Sequence, residues 1–247
     1  DTALGIDQQA DAIFSRIDQM LKNENIKVDD IVRQWNYIER ITHLGERGQH
    51  YQLFNDSRSQ FYNSTQWNNG YPAATGIGTQ TGGVVVVFDT VRDSKQCSTA
   101  IDNPLQISAH AYSQQVLINT TDTHKTTPKF ERARHIDGTE QMIYISGTAA
   151  IRGEDSCQQD IVGQTVLTME NIDHLISVEN QQASGVARPA KMKYATMRAY
   201  LKYCDNLDDV TTWINEHYPN MQTLYLWADI CREELLIEIE GIATQID

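Results

Sequence analysis

Ser15-Arg-Ile-Asp-Gln-Met-Leu-Lys-Asn-Glu-Asn25 returns later in the chain as Glu170-Asn-Ile-Asp-His-Leu-Ile-Ser-Val-Glu-Asn180. Both copies carry Ile-Asp at the same offset (Ile17-Asp18, Ile172-Asp173) and an apolar pair shortly after (Met20-Leu21, Leu175-Ile176). Both close on Glu-Asn. Each is followed by an apolar run containing aromatics, an amphipathic stretch and a second apolar run. Recurrence at this distance predicts two tandem copies of one α+β unit, with helices packed on one face of a sheet. A site in such a chain is expected between units.

Composition narrows the partners. The 33 acidic and 20 basic residues give a net charge of −13, and no cluster of Lys and Arg is present. Backbone binding to nucleic acid needs such a cluster to displace counterions, so a nucleic-acid partner is not expected. Anionic small molecules remain open, because an acidic chain can still carry a local basic pocket. No apolar run approaches the ~20 residues that span a bilayer, and Val84-Val-Val-Val-Phe88 reads as a buried strand. Cys97, Cys157, Cys204 and Cys231 show no C-x-x-C spacing, and the seven histidines show no H-x-x-x-H spacing. Neither metal nor disulfide scaffold is indicated, no cofactor is implied, and four free thiols suit the cytoplasm. There is no initiating Met and no signal-like segment at the start.

Apolar positions at helical spacing predict a helix over 8–23. Ile31 to Ile38 alternates like a strand. A second helix is expected from 48 to 62, with Tyr51, Phe54, Arg58 and Phe61 along one face, and a closing strand over 84–90. Residues 67–83 read as loop with one short extended piece, and 97–129 as irregular. The second unit reads as strands near 142–145 and 194–203, helices over 161–178 and 207–217, and strands over 223–227 and 235–243. This divides the chain into a unit over 1–100, a connector over 101–129 and a complete unit over 130–247. The first unit's opening strands are expected before Asp1.

Three segments exceed what packing asks for. Gly70-Tyr-Pro-Ala-Ala-Thr-Gly-Ile-Gly78 combines fixed turns with small side chains that admit a ligand to the backbone; a plain hairpin loop fits equally. Ile145-Ser-Gly-Thr-Ala-Ala150 is a strand ending in small residues, suited to close approach of a ligand or to tight helix-on-sheet packing. In Leu235-Leu-Ile-Glu-Ile-Glu240 the strand period puts Glu238 and Glu240 on one face and Ile237 and Ile239 on the other. That acidic face is either solvated or a cleft carboxyl with a raised pKa, able to act as a general acid.

At these residues the chain resembles the Rid (YjgF-type, endoribonuclease L-PSP-like) superfamily of chorismate mutase-like α+β folds. Within it the chain is most similar to the chorismatases, tandem enzymes that hydrolyse chorismate to pyruvate and a cyclic product. The stretches that carry the likeness are Tyr51–Tyr62, Tyr71–Gly78, Asn103–Tyr112, Phe130-Glu-Arg-Ala133, Ser146-Gly-Thr-Ala149, and Cys231-Arg232 with Glu238. The resemblance implies a homotrimer, a small carboxylate ligand and a catalytic Glu238. Guanidiniums suit carboxylates because they bind them bidentately. Arg132 and Arg198 are the candidates, each equally able to form a structural salt bridge. Tyr71, Tyr112, Gly147 and Cys231 would line the pocket, although the tyrosines and the thiol fit a core as well.

Two departures stand out. Chorismatases carry a Gly-His-x-Ser type sequence after the Ser-Gly-Thr-Ala strand, and here Glu154 stands in place of the His, an acidic group near a pocket meant for a dianion. The stretch Pro219–Tyr225 also lacks the arginine of simple Rid imine deaminases, which counts against imine or enamine hydrolysis. A non-catalytic ligand-binding trimer of the same fold is the third reading.

Overall fold

The computed structural model describes residues 4–118 and 125–246. Helix α1 (Ile6–Asn23) leads to strand β1 (Ile31–Glu39), helix α2 (His50–Tyr62), and strands β2 (Ala73–Thr79) and β3 (Val84–Thr90). Strands β4 (Ser98–Ile101), β5 (Ala133–Ile136) and β6 (Met142–Ala149) follow. Next come α3 (Ile161–Ile176), β7 (Met192–Leu201), α4 (Leu207–His217), β8 (Thr223–Trp227), β9 (Asp229–Ile230) and β10 (Ile237–Gln245).

Two sheets result. The first has the order β9-β2-β1-β3 and the second β8-β7-β10-β6-β5-β4. Within the first, β1 is parallel to β2 and antiparallel to β3. Within the second, β7 is parallel to β8 and antiparallel to β10. The order helix, strand, helix, parallel strand, antiparallel strand is therefore the same in both. The recurring segments occupy the C-terminal turns of α1 and α3, where Ile17, Leu21, Ile172 and Ile176 are buried.

Each sheet buries one face under its helices. Phe14 of α1 meets Phe54 and Phe61 of α2 over β1 and β3. Met169, Ile172 and Leu175 of α3, with Val210 and Ile214 of α4, cover Ile237 and Ile239. The helix-free faces carry the polar residues, because strand alternation sends them opposite to the apolar set. Arg33 of β1 reaches across to Glu240 of β10 at 2.5 Å, and Trp35 Nε1 donates to the same carboxylate at 3.1 Å.

The structure departs from the sequence expectations in several places. The run Val84–Phe88, expected as a buried strand, lies on the edge strand β3, with Val85 and Val87 exposed. The stretch expected as loop contains a full strand, β2, in register with β1 from Arg33↔Ala73 to Glu39↔Thr79. Its small residues read as loop, yet they are what lets Tyr51 and Asp229 approach Gly76 and Gly78. The stretch expected as irregular contains β4, the edge strand of the second sheet, so that sheet begins before residue 101. Strand β9 leaves the second unit and pairs with β2 of the first, Asp229↔Gly78 and Ile230↔Ile77. Among the described residues no helix is long and apolar enough to cross a membrane.

Candidate active site

Helix α2 presents Tyr51, Gln52, Asn55 and Arg58 at i, i+1, i+4 and i+7, along one side of the helix. With Ala74, Thr75 and Gly76 of β2 these residues form one wall of a cavity. The opposite wall is Gly147 and Ala149 of β6, Glu238 of β10, and Cys231, Arg232 and Leu235 from the turn before β10. Connector residues Tyr112, Val116, Leu117, Ile118, Pro128, Phe130 and Arg132 close it. The space among these residues, open solvent at its mouth included, is about 840 Å³. It lies between the two sheets.

The two carboxyls of β10 have opposite fates. Glu240 is 1% exposed and held by Arg33, Trp35, Arg198 Nη1 at 2.8 Å and Tyr200. Burial alone would push its pKa up, but Arg33 and then the bonds from Arg198 and Trp35 outweigh that and hold it below the usual range. Glu238 sits one pleat away on the same face, with no side-chain hydrogen bond among the described residues. Burial first, and then the charge of Glu240, raise it to about 8 against the pull of Arg33 and Arg132. One is a fixed carboxylate and the other a neutral acid near pH 7, the separation of roles that environment imposes on paired carboxyls. A Cβ on Gly147 would collide with Glu238 Oε1 and lie 3.3 Å from Thr75 Cγ2, so only glycine leaves room for the carboxyl there.

Three arginines line the same cavity. Arg58 is 2% exposed; its Nη2 donates to Asn55 Oδ1 at 2.6 Å, and its Nε has no partner. Arg132 donates through Nη2 to Ile107 O at 2.5 Å and Tyr112 Oη at 2.8 Å, and its Nε is likewise without a partner. Arg232 donates through Nη1 to Glu154 O at 2.7 Å and Ser156 Oγ at 3.1 Å. Tyr112 lies between two of them, with its ring 5.6 Å from Arg132 Cζ and 5.2 Å from Arg232 Cζ. Among the described residues none of the three has a carboxylate at salt-bridge distance; the ion-paired arginines are others. Buried charge without a counterion is costly, so the arrangement favours an anionic ligand. Burial, and then Glu238, push the Cys231 thiol up to about 12, so it is neutral. Tyr51 is held protonated for the same first reason.

Of the residues singled out in the sequence, Glu238, Arg132, Tyr112, Gly147 and Cys231 meet on this cavity. Arg198 does not: it sits opposite Glu240 in the β7–β10 register and pairs with it. Tyr71 does not either: its ring stacks on Tyr62 at 5.9 Å and contacts Trp67 and His110. Glu154 is not on the cavity wall. Its carboxylate accepts the Ser113 N–H at 2.7 Å, a bond that lowers its pKa. Sequence reasoning assigned no site role to Arg58, Arg232 or Tyr51. The available signal was the polar set Gln52, Asn55 and Arg58 at helical spacing beside Phe54 and Phe61. Among the described residues no group of acidic, His or Cys side chains is arranged to hold a metal.

A family model described as Chorismatase FkbO/Hyg5-like, N-terminal, matches residues 1–88. A 3-hydroxybenzoate synthase of Streptomyces hygroscopicus is 28% identical over 229 residues, covering 89% of this chain and 65% of that protein. A chorismatase of Streptomyces hygroscopicus is 28% identical over 237 residues, covering 94% of this chain and 66% of that protein. The chain thus spans just under two thirds of the length of the curated relatives it matches. A crystal structure of a chorismatase superposes with a TM-score of 0.78 at 27% identity, over 95% of this chain and 69% of the other. By sequence and by fold, the chain is similar to the chorismatases.

Proposed function

We propose that the protein hydrolyses the enolpyruvyl ether of chorismate, or of a closely related ring dicarboxylate, with Glu238 as general acid. The observation that carries this is one neutral buried carboxyl sharing a cavity with three guanidiniums that lack carboxylate partners. Such a site suits a dianion that needs a proton on carbon. Arg58, Arg132 and Arg232 bind the two carboxylates. Glu238 gives its proton to the methylene carbon of the enol ether, and the ether oxygen's lone pair forms the oxocarbenium ion. The resulting carboxylate stabilises that cation and accepts a proton as water adds. The hemiketal then collapses, the bond between its carbon and the ring oxygen breaks, and that oxygen leaves as a hydroxyl. Pyruvate and a dihydroxylated ring acid balance chorismate and water. Capture by a ring hydroxyl instead of water changes the ring product but keeps the same first step.

The test is pyruvate release from chorismate, coupled to lactate dehydrogenase and NADH, with the ring product identified by chromatography. Turnover in wild type that is lost in Glu238→Gln supports the reading. Chorismate that binds to wild type without pyruvate release would favour a ligand-binding role, and imine turnover would favour a deaminase. A homotrimer is supported by the superfamily resemblance and a cytoplasmic location by the four free thiols; light scattering and cell fractionation test them.

A further inference from the structure

We propose that Glu154 is a positioning residue: from the tip of the hairpin behind the cavity wall, it holds Tyr112 and Arg232 in their places. Ile151–Arg152 pairs with Asp155–Ser156, and the turn between them needs Gly153 at φ +61°. That tip is fastened to the connector on both sides. Ile107 N donates to Gly153 O at 2.7 Å, and Gly153 N donates to Leu105 O at 2.9 Å. Ile107 O is the acceptor for Arg132, so the same strip of backbone orients that guanidinium.

Glu154 completes the arrangement twice over. Its carboxylate takes the Ser113 N–H at 2.7 Å, fixing the residue next to Tyr112. Its backbone carbonyl takes Arg232 Nη1 at 2.7 Å. Tyr112, stacked between Arg132 and Arg232, is therefore held at its own backbone and through both cations. The carboxylate itself points at the connector, where its charge serves a backbone donor. An acidic residue at this position is thus compatible with a dianion in the cavity. A charge-assisted bond from carboxylate to backbone N–H is among the stronger kinds.

The inference rests on the cavity being a dicarboxylate site, so the test has one arm that needs no substrate. Amide hydrogen exchange of the segment containing Ser113 should quicken at least tenfold in Glu154→Ala and stay near wild type in Glu154→Gln, whose amide oxygen still accepts the bond. With chorismate as substrate, Glu154→Ala should raise KM about tenfold with kcat within about twofold, and Glu154→Gln should restore KM. Unchanged exchange in Glu154→Ala, or a Gln variant as impaired as the Ala variant, would overturn the proposal. Wild type without chorismate turnover would sink the proposed function instead, and the exchange arm would still decide the role of Glu154.

Discussion

Replacing Glu238 by Gln should make the protein more stable above pH 5 while removing its activity. The carboxyl has an ordinary pKa near 4.5 in the unfolded chain and about 8 in the fold, where burial and Glu240 oppose its ionisation. Below about pH 4.5 it is protonated in both states, so wild type and variant should match. As the pH rises, the unfolded chain releases this proton while the folded chain keeps it, and wild-type stability falls until the pH passes about 8. At about 1.4 kcal/mol per pH unit, the loss is bounded near 5 kcal/mol. The effective dielectric response of real interiors makes half of that a fair expectation, about 2–3 kcal/mol. For a chain of this size that is a Tm difference of roughly 5–10 °C at pH 8. The assay is thermal unfolding of both proteins from pH 4.5 to 8.5, plotted as the difference, so that other titrating groups cancel. A difference that stays flat with pH, or a variant less stable than wild type at pH 8, would refute a buried neutral Glu238.

Other perturbations have distinct signatures. Arg132→Ala should raise KM for chorismate by one to two orders of magnitude, since a hydrogen bond to a charged group contributes about 1.5–3 kcal/mol; steady-state kinetics reads this. Arg58→Met should raise the Tm of the free protein, because it removes a buried charge without a counterion, and should abolish calorimetrically measured chorismate binding. Gly147→Ala should leave Tm within a few degrees but lower kcat, as the new methyl displaces the Glu238 carboxyl; an unchanged kcat would show that the carboxyl has another productive position. Arg33→Ala should destabilise by about 3–5 kcal/mol in denaturant titration, because it leaves the Glu240 carboxylate buried with one of its two ion pairs gone.

The fold was legible where periodicity was undiluted. The recurring Ile-Asp segments lie on α1 and α3, and Glu238 and Glu240 do share the face opposite Ile237 and Ile239. Strand β2 was harder to read because its small residues answer to what packs on them, the Tyr51 ring and Asp229, and not to a pattern of their own. At the site, Glu238 was visible as a carboxyl in an apolar strand. Its difference from Glu240 was not, because that depends on Arg33 arriving from the other sheet, 207 residues away in sequence. Arg198 was misdirected by its residue type: arginine suits a carboxylate, and the carboxylate it found was the cross-strand neighbour Glu240. Arg58 went unassigned because Phe54 and Phe61, one turn to either side, made its helix face read as core.

Strand β9 is only two residues long, yet it laces the halves of the molecule together. Asp229–Ile230 lies in the first sheet, Thr42 Oγ1 binds Asp229 at 2.9 Å, and Cys231 and Arg232 follow at once on the cavity wall. Swinging the halves apart like the covers of a book would therefore unzip a sheet. For the same reason the halves should melt in one cooperative step, with the cavity wall lost at the moment the first sheet lets go.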